Sequence, residues 1–290
     1  MSATSPALAA PRPVHRASRR KPLLLALRYL VVLVALAFFL FPIFWVISTA
    51  FKLPGDYLRN PPLWIPSEPT LIHFGAVMPL KGYTALKNSL IISFATTALS
   101  LLIGGLAAYS LARFNTGGHH FSFWILSQRL MPPVVLIIPL FLVFRTLGLL
   151  DTHLALIILY TLFNLPYVIW MLRSYFAEVP VEIEESALVD GCTRLGVLRR
   201  ITLPLSLPGL IATATFAFIF SWTEFLFALI LTRNNAFTLP VTIAGYYGTQ
   251  GAIWGQAAAL AVVATIPLFV IGVLVQKHFV RGLTLGAVKS

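Results

Sequence analysis

The chain has 290 residues, of which 58% are hydrophobic and only 10% are charged, and this balance excludes an ordinary soluble domain. The net charge of +12 does not indicate nucleic-acid binding, because the cations flank apolar segments and form no basic face with interleaved aromatic residues. A single cysteine excludes an intrachain disulfide, and no Cys/His cluster has the spacing of metal ligands. The composition therefore predicts an integral membrane protein without a metal site.

The N-terminal residues 1–28 are rich in Ala, Pro and Arg, which predicts a basic, disordered tail. The apolar run from Tyr29 to Ala50 can span a bilayer and has no convincing signal-peptide cleavage site. It is therefore predicted to be an uncleaved first transmembrane helix with a kink near Pro42. Residues 51–87 are rich in proline and are predicted to form an external loop, with a short amphipathic helix at 72–77.

Five further apolar runs are long enough to cross a bilayer. The second predicted span contains a run of small residues, Gly104 to Ala112, which permits close packing against another helix. The third contains Pro132, Pro133 and Pro139 and is therefore predicted to be bent or partly unwound. The predicted fold is all-α, a polytopic membrane domain of six transmembrane helices over residues 29–290. Its second to sixth spans cover residues 88–112, 121–147, 153–174, 208–231 and 256–279.

The distribution of Lys and Arg predicts the orientation of these spans. If both termini and the segment 178–204 are cytoplasmic, 14 basic residues lie inside and 6 outside, with Arg129 left within a span. This asymmetry predicts a multi-pass protein of the cytoplasmic membrane with both termini in the cytoplasm.

The segment 178–204 is the longest charged island in the chain. Pro180 suits the first turn of a helix, and the glutamates after it place negative charge at the positive end of that helix. Gly191 permits the left-handed conformation that ends it. A second short helix is predicted from Thr193 to Ile201, with Pro204 as its stop. The alternative interpretation is a solvated loop of mixed charge with no partner.

The spacing in this segment follows the pattern E-A-A, three residues, G, nine residues, I-x-L-P, which resembles the EAA loop of ABC-importer permeases. The matching positions are Glu185, Ala187, Gly191, Ile201, Leu203 and Pro204, while Ser186 replaces the second alanine and Asp190 precedes the glycine. Three other stretches resemble the maltose-type carbohydrate branch of these permeases: GLLDT at 148–152, SWTEF at 221–225, and the C-terminal GLTLGAVKS. Thr223 stands where that branch usually has asparagine.

The resemblance implies a permease subunit that pairs with a homologous second permease and two ATP-binding subunits. It also implies an extracytoplasmic solute-binding protein that delivers a sugar or polyol, with a sugar phosphate as the alternative cargo. This chain has no G-x-x-x-x-G-K-[ST] phosphate loop, so it is predicted to be a transport component, not an enzyme, and to bind no cofactor. ATP and Mg would bind the partner subunits, whose movement would reach the fourth and fifth spans through the EAA-like loop.

Polar and aromatic groups within the spans are the candidates for the solute pathway. They are Tyr160, Asn164, Tyr167, Trp170, Trp222, Thr223 and Glu224. The alternative is that Glu224 is satisfied by neighbouring helices and that the aromatic side chains only pack. Arg129 is predicted to snorkel or to bond backbone freed by Pro132 and Pro133. A stand-alone secondary transporter is the rival class, but it would need a relay of buried acid or His groups, and only Glu224 qualifies.

Overall fold

A computed structural model describes residues 20–57, 59–114, 116–247 and 253–287, and these residues form helices, turns and loops without a β-strand. The predicted all-α fold is therefore confirmed for this part of the chain. The α-helices are α1 (Arg20–Ala50), α2 (Ile72–Val77), α3 (Tyr83–Phe114), α4 (Gly118–Ser127), α5 (Pro133–Thr146), α6 (His153–Ala177), α7 (Val181–Val189), α8 (Arg194–Val197), α9 (Leu203–Leu205), α10 (Leu207–Trp222), α11 (Leu226–Leu231), α12 (Leu239–Gly245) and α13 (Trp254–Ala287). Shorter helical turns join some of them: π-helical Met78–Gly82 and Leu198–Thr202, and 3-10 helical Gln128–Leu130.

Four of these helices, α1, α3, α6 and α13, are long and apolar enough to cross a membrane by themselves. Two bent helix pairs raise the number of spans to as many as six, if each pair forms one span. The six predicted spans agree with this upper count. The length and composition of the helices thus make the chain a polytopic membrane protein.

The first helix begins earlier in the chain than predicted. Helix α1 begins at Arg20 and not at Tyr29, because Pro22 suits a first turn and the Leu- and Ala-rich run after it favours helix. Residues 1–19 of the predicted basic tail lie outside the described residues. The short helix α2 occupies Ile72–Val77, as predicted for residues 72–77.

Helices α3 and α6 pack closely along the halves that end at Phe114 and Ala177. We call these the inner halves, and the opposite ends of both helices the outer ends, after the predicted orientation of the spans. A Cβ atom placed on Gly104 would lie 2.7 Å from Cγ1 of Val168, so only glycine permits this approach. Further along the contact, Ala108, Leu172 and Phe176 are completely buried. The predicted close packing of the small-residue run is confirmed.

The third span is bent at its proline pair. Between the 3-10 turn that ends at Leu130 and the start of α5, Met131 and Pro132 are extended, and the helix axis turns by 89°. The predicted bend is confirmed, although Pro139 lies inside α5 without breaking it.

The fifth span is broken in a way that the sequence analysis did not predict. Helix α10 ends at Trp222 and α11 begins only at Leu226, so the continuous helix predicted for 208–231 is wrong. At the other end, Pro204 does not stop the preceding helix, because it lies in the first turn of α9, where its missing N–H needs no partner. The chain changes direction by 84° one residue after Leu205.

Candidate functional site

The EAA-like segment forms two short helices that meet at a glycine turn. Pro180 immediately precedes α7, and Gly191 follows it with a φ of +87°, in the left-handed region that favours glycine. Thr193 then starts α8, because its hydroxyl accepts a hydrogen bond from the backbone N–H of Gly196 at 3.1 Å. The predicted pair of helices and the break at Gly191 are confirmed.

The turn between these helices carries an exposed apolar surface. Val189 is 88% exposed on one side of Gly191, and Leu195 is 65% exposed on the other. Among the predicted coupling residues, Glu185, Ser186, Asp190, Gly191 and Pro204 are exposed, Ile201 and Leu203 are half-buried, and Ala187 is buried.

The opposite face of α7 holds a buried carboxylate that the sequence analysis did not single out. Glu184 is only 2% exposed and forms an ion pair with Arg113 at the inner end of α3. Two N–H groups of Arg113 donate to its two oxygens, each at 2.9 Å. The hydroxyls of Thr202 and Tyr109 also donate to it, at 2.7 and 3.1 Å. Glu184 therefore joins α7 to α3 and to the helical turn before α9.

Arg113 extends this cluster to the end of α6. Its second terminal nitrogen also donates to the carbonyl oxygens of Phe176 and Val179, at 2.7 and 2.9 Å. Carbonyls at a helix end have no partner within the helix, so this guanidinium satisfies two of them. We call the cluster of Tyr109, Arg113, Glu184 and Thr202 the inner network.

The inner network lowers the pKa of Glu184. Burial alone acts to raise that pKa, but the hydrogen bonds and positive charge of Arg113, together with the two hydroxyls, bring it below its ordinary value. The carboxylate therefore stays ionised at neutral pH. One signal could have found it: Glu184 lies three residues before the buried Ala187, on the same face of α7.

A second network joins the outer ends of the same helices. Asp151, with a φ of +59°, accepts hydrogen bonds from the four backbone N–H groups of residues 233–236 at 2.9 to 3.1 Å. Burial acts to raise the pKa of Asp151, but these N–H groups hold it below its ordinary value. The side-chain amide of Asn88 donates to the carbonyls of Asn235 and Phe237, and its oxygen contacts Nε2 of His153 at 2.7 Å.

A cavity of about 300 Å³ lies where the two broken spans meet α6. Met131 and Pro133 line it from the bend of the third span, and Glu224 lines it from the break in the fifth. Glu224 caps α11, because its two oxygens accept from the N–H groups of Phe227 and Ala228 at 3.0 and 3.3 Å. Because the helix is interrupted at this point, the carboxylate of Glu224 lines the cavity.

Helix α6 supplies two polar side chains to this cavity. The amide of Asn164, which is 3% exposed, donates to the hydroxyl of Ser221 at 2.9 Å. Tyr160 is also 3% exposed, and its hydroxyl lies beside the carboxylate of Glu224. The geometry falls short of a hydrogen bond, so within the described part of the chain this buried hydroxyl has no partner.

Arg129 completes the charged groups of the cavity wall. It donates to the carbonyl of Phe163 at 3.2 Å, and its guanidinium carbon lies 4.4 Å from the centre of the Phe220 ring. Arg129 was predicted to snorkel or to bond backbone freed by Pro132 and Pro133. The second of these alternatives is wrong, because the carbonyl that Arg129 bonds belongs to α6. No ion pair between Arg129 and Glu224 occurs in the described residues.

The cavity contains three of the seven predicted pathway residues, Tyr160, Asn164 and Glu224. The indole of Trp222 is buried and donates to the carbonyl of Ala264, and the exposed Thr223 bonds back to its own helix. Tyr167 packs edge-on against Phe216 and Phe220, while Trp170 is half-exposed. The structure places these four outside the cavity wall.

Membrane-length helices, a polar cavity between two broken spans and a charged helical loop define a polytopic transport protein. The chain belongs to the family of binding-protein-dependent transport system inner membrane components, whose model matches residues 100–285. This family consists of permease components, in agreement with the predicted transport role and the predicted inner-membrane location.

Individual relatives match nearly the whole chain. It is 37% identical over 267 residues to the sulfoquinovosyl glycerol transport system permease protein SmoH of Agrobacterium fabrum, covering 91% of this chain and 94% of the relative. It is also 37% identical to the trehalose/maltose transport system permease protein MalG of Thermococcus litoralis, covering 87% of this chain and 92% of the relative. A bacterial ABC transporter for import of the acidic polysaccharide alginate shares the fold, with a TM-score of 0.73 and 23% identity over 92% of this chain and all of that one.

Proposed function

We propose that the chain is the permease subunit of an ATP-driven importer that moves a sugar or polyol across the cytoplasmic membrane. The family membership and the sugar-transporting relatives support this function. Its partners are a homologous second permease, two ATP-binding subunits and an extracytoplasmic solute-binding protein. The chain itself binds no cofactor, and ATP and Mg bind the ATP-binding subunits.

One observation carries the coupling role: the segment 178–204 is fixed on one face and presents apolar side chains on the other. Arg113 and Glu184 fix α7 to the inner ends of α3 and α6. Val189 and Leu195 project from the turn at Gly191. This arrangement suits a docking surface for an ATP-binding subunit, because a partner that covers these apolar side chains removes their surface from water.

Motion of a docked subunit would then reach the spans through defined contacts. A displacement of α7 pulls on α3 through Arg113 and on the turn before α9 through Thr202. Helix α10 follows that turn directly, so the broken fifth span moves with it. The loop thus acts on α3 and on α10, and α10 lines the cavity.

The coupling role is tested with Val189→Asp in the complete complex reconstituted in proteoliposomes. A buried carboxylate at the docking surface should weaken binding of the ATP-binding subunit, so we expect sugar uptake and stimulated ATPase activity to fall about tenfold or more. Glu182→Gln is the matched control, because Glu182 is exposed on the same helix and lies outside the predicted coupling residues. Full activity of Val189→Asp would contradict the docking surface.

The orientation is tested with a cysteine at position 182, on a background in which Cys192 is replaced by alanine. Glu182 is exposed on α7, so its cysteine should react with a membrane-impermeant maleimide in inside-out vesicles and not in right-side-out vesicles. The reverse pattern would place the loop outside and remove the coupling role.

A further inference from the structure

We propose that the cavity between the two broken spans holds the migrating solute in this subunit and that this solute is an uncharged polyhydroxylated molecule. The proposal rests on the importer function and deepens it. It assigns a direct contact with the solute to this chain, and it excludes a sugar phosphate as the cargo.

The backbone around the cavity supports a solute site. Residues 131–132 interrupt the bent helix pair of the third span, and residues 223–225 separate α10 from α11 in the predicted fifth span. Irregular backbone at membrane depth is tolerated where it is buried or lines a polar cavity. Both interruptions reach the same cavity, through Met131 and Glu224. In secondary transporters, discontinuous helices of this kind form the solute site.

The hydroxyl of Tyr160 is a polar group that a solute in the cavity can bind. It is buried, it lines the cavity, and it lies beside the carboxylate of Glu224 without a regular hydrogen bond to it. A buried hydroxyl in this state gains a hydrogen bond when a ligand or an ordered water fills the cavity. Other buried hydroxyls of the described residues also lack a partner, but they do not line this cavity: Ser93, Thr96, Ser100, Thr161 and Thr238.

The charges of the wall determine the class of solute. Arg129 and Glu224 are the charged residues among those that line the cavity, so their charges cancel. Arg129 has five N–H donors, of which one bonds to Phe163, and each oxygen of Glu224 keeps a further lone pair. A sugar hydroxyl can accept a hydrogen bond from Arg129 and donate one to Glu224. A phosphate would accept from Arg129 but would meet the negative charge of Glu224 in a medium of low dielectric.

Aromatic rings supply the rest of the wall. Phe163, Phe220 and Phe227 all line the cavity, and Phe163 packs against Phe227 with ring centres 4.8 Å apart. A few polar groups set among apolar rings are the usual composition of a site for a small molecule. The C–H faces of a sugar ring suit such rings, whereas a compact anion does not.

Occupancy is tested on the assembled complex with Tyr160→Cys, again with Cys192 replaced by alanine. The probes are maltose, trehalose and sorbitol as neutral solutes and glycerol 3-phosphate as the anion. At least one neutral probe that the complex takes up should slow maleimide labelling of the cysteine at position 160 by about tenfold, and glycerol 3-phosphate should leave the labelling rate within twofold. A cysteine at position 170, where Trp170 lies outside the cavity, is the control and should show no protection.

Transport by two conservative variants gives the second readout. Tyr160→Phe and Arg129→Gln should each lower the maximal uptake of the neutral solute about tenfold while ATPase stimulation by the loaded binding protein stays within twofold. Tyr167→Phe, outside the cavity wall, should leave both unchanged. A merely structural role would lower uptake and ATPase stimulation together, and that outcome would overturn the proposal.

Two further outcomes would also overturn it. One is uptake of a neutral probe with no protection at position 160; the other is equal or better protection by glycerol 3-phosphate. A complex that takes up no probe and shows no stimulated ATPase would contradict the importer function itself, and with it the proposal.

Discussion

The ion pair of the inner network should contribute strongly to stability, and Arg113→Met tests this directly. The substitution keeps the length of the side chain and removes four hydrogen bonds: two to the carboxylate of Glu184 and two to the carbonyls of Phe176 and Val179. Glu184 then remains buried with only the hydroxyls of Tyr109 and Thr202 as partners. Removing one partner of a buried pair costs ~3–5 kcal/mol, so the free energy of unfolding should fall by about that amount.

The assay is thermal unfolding of the purified protein in detergent, with two reference variants. Glu182→Gln changes an exposed glutamate on the same helix and should shift the free energy of unfolding by less than about 0.5 kcal/mol. Arg113→Lys keeps the charge but loses the planar fork of donors, so its melting temperature should lie between those of wild type and Arg113→Met. If Arg113→Met melted like Glu182→Gln, the cluster would not stabilise the inner end of the bundle.

The inner network should make the stability of the protein fall in acid. In the folded protein the pKa of Glu184 lies below its ordinary value. The ionised Glu184 therefore contributes its full stabilisation of the fold at any pH above the ordinary pKa of a glutamate. The contribution is lost as the pH falls through the lowered pKa. The melting temperature of the wild type should therefore decline in acid more steeply than that of Glu184→Gln, which has no carboxyl group to titrate. Parallel curves would show that Glu184 titrates at its ordinary pKa.

Two other structural features give expectations with the same melting assay. Gly104→Ala should destabilise the protein by ~1–3 kcal/mol, because its Cβ would lie 2.7 Å from Val168. Gly105→Ala, whose Cβ would meet its nearest neighbour at 3.8 Å, should be close to neutral, and equal effects would contradict the close approach. Asp151→Asn should cost ~1.5–3 kcal/mol, because an amide replaces one of the two oxygens that accept from residues 233–236. Faster amide hydrogen exchange of those four residues would locate the effect, and unchanged exchange would contradict it.

Much of the helical framework could be predicted from the sequence, because its signals are local. The short helix Ile72–Val77 and the sixth span followed from apolar pattern alone. The bend at Pro132 and the left-handed turn at Gly191 followed from the backbone chemistry of proline and glycine. These features depend on the residues that form them and on few distant contacts.

The candidate site was less predictable, because it depends on contacts between distant parts of the chain. Glu184 lies three residues before Ala187, but this spacing does not identify its partner, because that partner is Arg113, 71 positions away in the sequence. The break at 223–225 has no proline or glycine, and the carboxylate of Glu224 stabilises it by capping α11. Tyr160 was one of several aromatic candidates on the fourth span, and its place in the cavity wall depends on how both breaks pack against the same turn of α6.

The two polar networks have a consequence for how this subunit moves. Asn88 accepts a hydrogen bond from His153 at the start of α6, and Arg113 donates one to Phe176 at its end, so both ends of α3 are tethered to α6. Gly104 lets the two helices touch between those points. Two helices joined in three places move as one rigid unit, so large torsional changes during a transport cycle would have to occur elsewhere. The interruptions at 131–132, at 206 and at 223–225 are available as hinges, and the first and third flank the space through which a solute would pass.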